Sequence, residues 1–158
     1  MQNCKLISKI REFNRLYMPT MKLLGNHYLG SEYSVTEARV FFEIYENEGC
    51  NAAHIAEKMN IDKSYLSKII LSHEKSGYII KKPSSTDKRA YDLYLTGKGK
   101  ERVLEFIQDS DNEIGNILTP LSVDEQQQMY EALEIVMNLL KKEGIKNETC
   151  IVQSQIQK

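Results

Sequence analysis

The chain has 158 residues, 21 Lys or Arg against 22 Asp or Glu, and a net charge of −1. That length and an apolar share of 41 % point to a single domain able to bury a core. No stretch approaches the roughly 20 apolar residues needed to cross a bilayer, and the amino terminus opens into an amphipathic pattern without a signal-peptide run, so a cytoplasmic protein with no membrane partner is expected. Cys4, Cys50 and Cys150 form an odd, widely spaced set without a C-x-x-C pair, which argues against a zinc site and a disulfide framework.

From Leu6 to Tyr28 the apolar residues Leu6, Ile10, Phe13, Tyr17, Met21, Leu24 and Tyr28 recur every third or fourth position, predicting a helix over residues 4–28. Such a helix carries more apolar face than its own domain can easily cover, and a second copy of the chain is the natural cover, although a single-chain bundle uses the same pattern. Pro19 predicts a kink near Arg15 to Pro19, or a break into two helices. Gly25 to Glu32 reads as a loop. Ser34 and Glu37 then make a capping box for a helix to about Glu46, with Val40, Phe41, Ile44 and Tyr45 inward. Gly49 stops it, and two or three residues near Cys50 could add a short strand.

Asn51 to Thr96 carries the most informative pattern. Ala52, Ile55, Ala56 and Met59 give a short helix one apolar face; Asn60 and Ile61 make a turn; Asp62 caps a second helix. There Leu66, Ile69, Ile70 and His73 fall on one side, while Lys63, Ser64, Tyr65, Ser67, Lys68 and Ser72 lie on the other or flank it. Gly77 ends that helix. Two β-rich runs follow, Tyr78 to Ile80 and Tyr91 to Leu95, in the second of which Tyr91, Leu93 and Leu95 alternate with polar-facing positions. The connection from Pro83 to Ala90 carries Lys88 and Arg89 at its tip, with Asp87 close enough to steer the arginine. Residues 61–100 hold nine Lys or Arg and four acids, a net of +5, which leaves −6 for the rest. A helix of groove width beside a basic hairpin is suited to DNA: its amino-terminal side chains to the major groove, the loop arginine to the minor groove.

Thr96 caps the next helix, which begins with Gly97 and Gly99 and has Val103, Leu104, Ile107, Ile114, Ile117 and Leu118 as its apolar set. Thr119 and Pro120 close it. Ser122 and Glu125 form a second capping box for a last helix bearing Met129, Leu133, Val136, Met137 and Leu140. Gly144 ends it, and residues 145–158 are too polar to promise order. No paired carboxylates at a cleft, phosphate-binding loop, metal-ligand spacing or nucleophile motif is present, so no catalytic residue, metal or cofactor is expected.

The order helix, helix, recognition helix and wing, with Asp87-x-Arg89 ahead of Leu93-x-Leu95-Thr96-x-Lys98-Gly99, resembles the multiple-antibiotic-resistance regulator (MarR) family from about Ile10 to Leu140. The segments Arg11 to Tyr17, Tyr28 to Ser31 and Ser34 to Val40 look most like members that carry an N-acetyltransferase domain after the regulator; nothing beyond Leu140 resembles an acetyl-coenzyme-A site. The resemblance implies a mainly α fold with a small β-wing: a winged helix-turn-helix over 34–96, and dimerisation helices over 4–28 and 98–142. It implies a sequence-specific transcriptional regulator, a homodimer on palindromic double-stranded DNA.

The residues expected to meet DNA are Lys63, Ser64, Tyr65, Ser67 and Lys68 from the helix and Asp87, Lys88 and Arg89 from the wing. The duller roles are that Tyr65 packs on a neighbouring helix and that Asp87 only caps the loop. The resemblance further implies a small aromatic effector between dimer helices and reading domain, with Arg15, Tyr17, His27, Tyr28 and Arg39 as its polar contacts. Two alternatives stand beside this: the regulatory module of an acetyltransferase-linked lineage, and an oxidant sensor acting through Cys4.

Overall fold

The computed structural model describes residues 2–142. The tail expected at 145–158, Gly144 as a helix stop and Cys150 lie outside them. Mainly α with a two-stranded antiparallel wing, the fold runs α1 (Gln2–Thr20), a 3-10 turn (Tyr28–Gly30), α2 (Val35–Glu46), α3 (Ala52–Met59), α4 (Lys63–Lys75), β1 (Ile79–Pro83), β2 (Tyr91–Leu95), α5 (Gly97–Leu118) and α6 (Val123–Leu140). The chain falls into two compact units, Met1–Ile114 and Gly115–Lys158.

The first helix is shorter than the stripe from Leu6 to Tyr28 suggested. It runs through Pro19 and stops at Thr20. The amide of Leu23 bonds the Met18 carbonyl at 2.9 Å and that of Lys22 the Pro19 carbonyl at 3.1 Å, with Lys22 left-handed at φ 51°. This is a Schellman stop with lysine in the position glycine usually takes. Met21, Leu24 and Tyr28 therefore leave the helix, and the stripe that continues on α1 itself is Leu6, Ile10, Phe13 and Tyr17. Leu6, Ile10 and Phe13 remain about half exposed.

In the first unit the core is built around α2. Ser34 accepts the Glu37 amide at 3.2 Å while Glu37 accepts the Ser34 amide at 2.9 Å, so the predicted capping box forms. Val40, Phe41 and Ile44 are fully buried, whereas Tyr45, expected inward, is exposed. Around Phe41 stand Tyr33, His73, Tyr78 and Phe106, brought from the loop before α2, from α4, from the turn before β1 and from α5. On α5 the buried residues are Gly99, Val103 and Phe106, and Leu104, named in its apolar set, is exposed; Phe106 sits at the i+3 position from Val103 that Leu104 does not.

The wing strands pair in the register Ile79 with Leu95 through Pro83 with Tyr91. Leu93 and Leu95 are buried, but Tyr91 is exposed at the loop end of the hairpin. Near Cys50 the expected strand is reduced to a bridge between Asn51 and Asp92, with the Leu93 amide on the Cys50 carbonyl at 2.8 Å. Thr96 joins wing to α5: its hydroxyl donates to the Gly77 carbonyl at 2.7 Å and accepts the Gly99 amide at 3.0 Å.

Gly99 is required by this junction. A Cβ there would overlap the Tyr78 carbonyl oxygen, which already accepts the Thr96 amide at 3.0 Å. Because the obstacle is backbone, Gly99→Ala should cost about 1–3 kcal/mol, reversing the roughly 1 kcal/mol that alanine normally gains over glycine inside a helix. Gly115 on the same helix has nothing within 4 Å of an added Cβ. Urea midpoints of the two alanine variants should move in opposite directions; parallel shifts would contradict the steric assignment.

A partly buried link crosses from α2 to α4: His73 Nε2 lies 3.1 Å from Glu37 Oε1. Burial works to raise the Glu37 carboxyl, but bonds from the Ser34 amide and hydroxyl and then from His73 outweigh it, and its pKa lies below the usual 4.5. A depressed folded-state pKa stabilises fully above the unfolded value and is lost as pH falls through the folded one. Denaturation midpoints should therefore drop as pH descends below about 4.5, and Glu37→Gln should flatten that drop relative to wild type.

In the second unit Ser122 and Glu125 form the second predicted capping box, opening α6. No residue of α6 is buried: Leu133, Val136, Met137 and Leu140, expected along its stripe, are all exposed. No described helix is long and apolar enough to cross a membrane.

Candidate nucleic-acid interface

Helix α4 is held by its inner side and free on its outer one. Asp62 Oδ1 accepts the Tyr65 amide at 2.9 Å, capping the helix at the end that faces outward. Before it, Asn60 adopts the left-handed conformation at φ 51°, which turns the chain from α3 into α4. Leu66, Ile69, Ile70 and His73 are buried as predicted, and Lys63, Ser64, Tyr65, Ser67 and Lys68 are exposed. Tyr65, at 45 % exposure, does not pack into the domain.

At the wing tip, Ser84 and Ala90 close the loop through an amide-to-carbonyl bond of 3.1 Å. Asp87, Lys88 and Arg89 are exposed. Asp87 does not grip the arginine side chain as expected. Its Oδ1 accepts the Arg89 backbone amide at 2.9 Å, an Asx-type turn that fixes the loop path and leaves the guanidinium unconstrained.

Partners sort the nine cations of residues 61–100 into two sets. Lys81 pairs with Glu74 at 2.8 Å, Lys100 with Glu48 at 3.0 Å, Lys98 bonds the Ser76 carbonyl at 3.2 Å and lies over the Tyr78 ring, and Lys82 lies over the Tyr94 ring. Among the described residues, Lys63, Lys68, Lys75, Lys88 and Arg89 make no ion pair. Four of those five are the cations singled out from the sequence. Among the described residues acids thus neutralise Lys81 and Lys100, and the cations of α4 and the wing tip stand without an acidic partner.

A cavity of about 360 Å³ lies elsewhere in the first unit, between the segment after α1, α2 and α5. Leu23, Tyr28, Ala38, Phe42 and Phe106 give it apolar walls, and Arg39 and Asp111 are its charged groups. Of the five effector contacts expected, Tyr28 and Arg39 line it. The other three do not: Tyr17 stacks on Phe13 at 5.1 Å between ring centres, His27 Nδ1 meets the Ser31 carbonyl at 2.9 Å, and Arg15 is exposed on α1. The early end of α1 turns Tyr28 into the cavity and leaves Arg15 and Tyr17 behind. Asp111 and Phe106 were not anticipated, because no local pattern says which face of α5 meets α2.

Among the described residues no group of acids, His and Cys could hold a metal ion. Cys4 is exposed; Cys50 is half-buried, and burial holds its thiol above the ordinary range, the reverse of what a reactive thiolate needs.

The MarR family profile matches residues 33–91, which span α2, the helix-turn-helix and the wing. Residues 33–91 thus form a MarR-family domain. The HTH-type transcriptional regulator BilQ of Clostridioides difficile (strain CD3) is 29 % identical over 110 residues, covering 68 % of this chain and 74 % of that protein. The uncharacterized HTH-type transcriptional regulator YfiV of Bacillus subtilis (strain 168) is 26 % identical over 140 residues, covering 86 % and 88 %. A mutant MarR from E. coli, solved in complex with operator DNA, superposes with a TM-score of 0.68 at 19 % identity, over 84 % of this chain and 95 % of that one. The MarR-family fold, mainly helical with a two-stranded wing, is thus the fold of this chain.

Proposed function

We propose that this MarR-family protein is a transcriptional regulator that binds double-stranded DNA as a homodimer on a palindromic site, in the cytoplasm. The observation that carries this is the sorting of charge: Lys63 and Lys68 on the outer face of α4 and Lys88 and Arg89 at the wing tip stand exposed without ion pairs among the described residues, while Lys81 and Lys100 are paired with acids of the domain. Lysines there reach guanine acceptors or phosphates, Ser64 and Ser67 bond either, Tyr65 touches a phosphate or a thymine methyl, and Arg89 suits the minor groove. The likeness to a MarR solved with operator DNA supports the same reading.

The apolar residues left exposed on α1 and α6, among them Leu6, Ile10, Phe13, Leu133, Val136 and Leu140, support the homodimer, since such stripes on a water-soluble chain call for a second copy. Two-fold symmetry sets two recognition helices about one DNA turn, ~34 Å, apart. The cavity lined by Tyr28, Arg39 and Asp111 is the site for a small aromatic effector, which shifts DNA affinity only as far as it prefers one arrangement of the protein over the other.

Titrating duplex DNA at several salt concentrations tests the central claim. The logarithm of the binding constant should fall linearly with that of salt, by about 0.9 for each phosphate contact; indifference to salt removes the DNA reading. Sedimentation of the same preparation should give a dimer, and a monomer that still binds one half-site would refute the paired geometry.

A further inference from the structure

We infer that Glu43 couples the cavity to the reading head: it is a positioning residue through which the charge on Arg39 governs how helix α3 is held. The inference rests on the reading that the helix-turn-helix binds DNA, and adds the route by which the cavity could influence it. Glu43 is fully buried in α2, where a carboxylate is tolerated only with charged or hydrogen-bonding partners. It has two cations, from two different elements.

Arg39, one turn earlier on α2, brings Nη2 to 2.6 Å from Oε1; Lys58, on α3, brings Nζ to 2.6 Å from Oε2. Asn47 donates to the Glu43 main-chain carbonyl at 3.0 Å and approaches Oε2 at 3.5 Å. The two cations are not equivalent. Each is near enough for an ion pair, and what distinguishes Arg39 is its place. Its guanidinium is half exposed, lies 5.5 Å from the Phe42 ring centre, and stands on the wall of the cavity that also holds Asp111.

Standing half exposed on the cavity wall, Arg39 can be drawn toward an anion in the cavity. When it leaves, the buried carboxylate has only Lys58 to neutralise it. Lys58 sits in the last turn of α3, directly before Asn60 and Asp62, which turn the chain into the recognition helix. A change at the cavity wall thus reaches α3 through one carboxylate, without any contact between Arg39 and DNA. Such a link is a coupling free energy between two sites, and it is measured as non-additivity.

The experiment measures affinity for a duplex selected by the wild-type chain, using wild type, Arg39→Met, Lys58→Met and the double variant, with Arg39→Lys as the charge-conserving control. Both side chains are about half exposed, and circular dichroism checks that each variant folds. Arg39→Met should change affinity at least about threefold when Lys58 is present and leave it nearly unchanged in Lys58→Met, while Arg39→Lys restores the wild-type value. Introducing Glu43→Gln should likewise abolish the effect of Arg39→Met. An Arg39→Met effect of equal size in both backgrounds, or none in either, overturns the coupling while leaving DNA binding intact. A folded wild-type chain that binds no duplex overturns the DNA reading and the coupling together.

Discussion

Replacing Lys68 and Arg89 together with alanine should lower duplex affinity by at least about 30-fold, with no loss of folded stability. The estimate follows from two contacts worth about 1–3 kcal/mol each if both reach base edges. Both residues are exposed and make no ion pair among the described residues, so their removal leaves no buried group unsatisfied. They sit on different elements, one on α4 and one on the wing, and their effects should nearly add. Each single variant also reports its mode of contact. A loss confined to certain base pairs marks direct readout, whereas a uniform loss with a salt slope reduced by about 1 marks a phosphate contact. Anisotropy titrations on matched and single-substituted duplexes give both. An unchanged affinity for the double variant would remove α4 and the wing as the interface.

Phe41→Ala should cost about 3–5 kcal/mol, a large share of the 5–15 kcal/mol that holds a domain folded. Phe41 has no exposed surface, and its ring meets His73 at 4.7 Å, Tyr78 at 5.7 Å, Phe106 at 6.0 Å and Tyr33 at 6.1 Å between centroids. Removing it opens a cavity at the point where α2, α4, α5 and the approach to β1 converge. The recognition helix rests on this ring through His73, so DNA binding should fall with stability. Phe42, one residue on, is only half-buried and lines the open cavity. Phe42→Ala should therefore cost clearly less, and equal melting shifts for the two would show that Phe41 is not the centre of the core.

The fold was legible wherever the determinants were local. Both capping boxes, the Asp62 cap, the Gly77 turn and the Thr96 cap form between residues at most three apart or at fixed turn positions, and each stands where the sequence indicates. The outer face of α4 was equally legible, because apolar residues at helical spacing define the inner face and everything else is left outside. The first helix was misjudged for the opposite reason. Apolar spacing continues past Thr20, and although Pro19 allows a break there, the stop itself rests on Lys22 in a conformation that favours glycine.

The candidate site divides in the same way. Arg89 and Lys68 could be named from the basic hairpin and helix alone, yet the role of Asp87 could not: a carboxylate two residues from an arginine can bond its side chain or its backbone amide, and geometry selects the amide. Glu43 illustrates the limit most plainly. In sequence it is one acid among 22; in the fold it is buried between an arginine of its own helix and a lysine from the next.

By itself the sequence determined the helix-turn-helix, its outward residues and the excess of positive charge beside it, because periodicity, caps and turns act within a few residues. Only the tertiary structure decided which cations stay without partners, that Tyr28 and Arg39 share a cavity with Asp111, and that Glu43 ties Arg39 to Lys58. Those facts depend on contacts between segments distant along the chain, and a contact of that kind is set by how whole faces pack, which no local pattern of residues encodes.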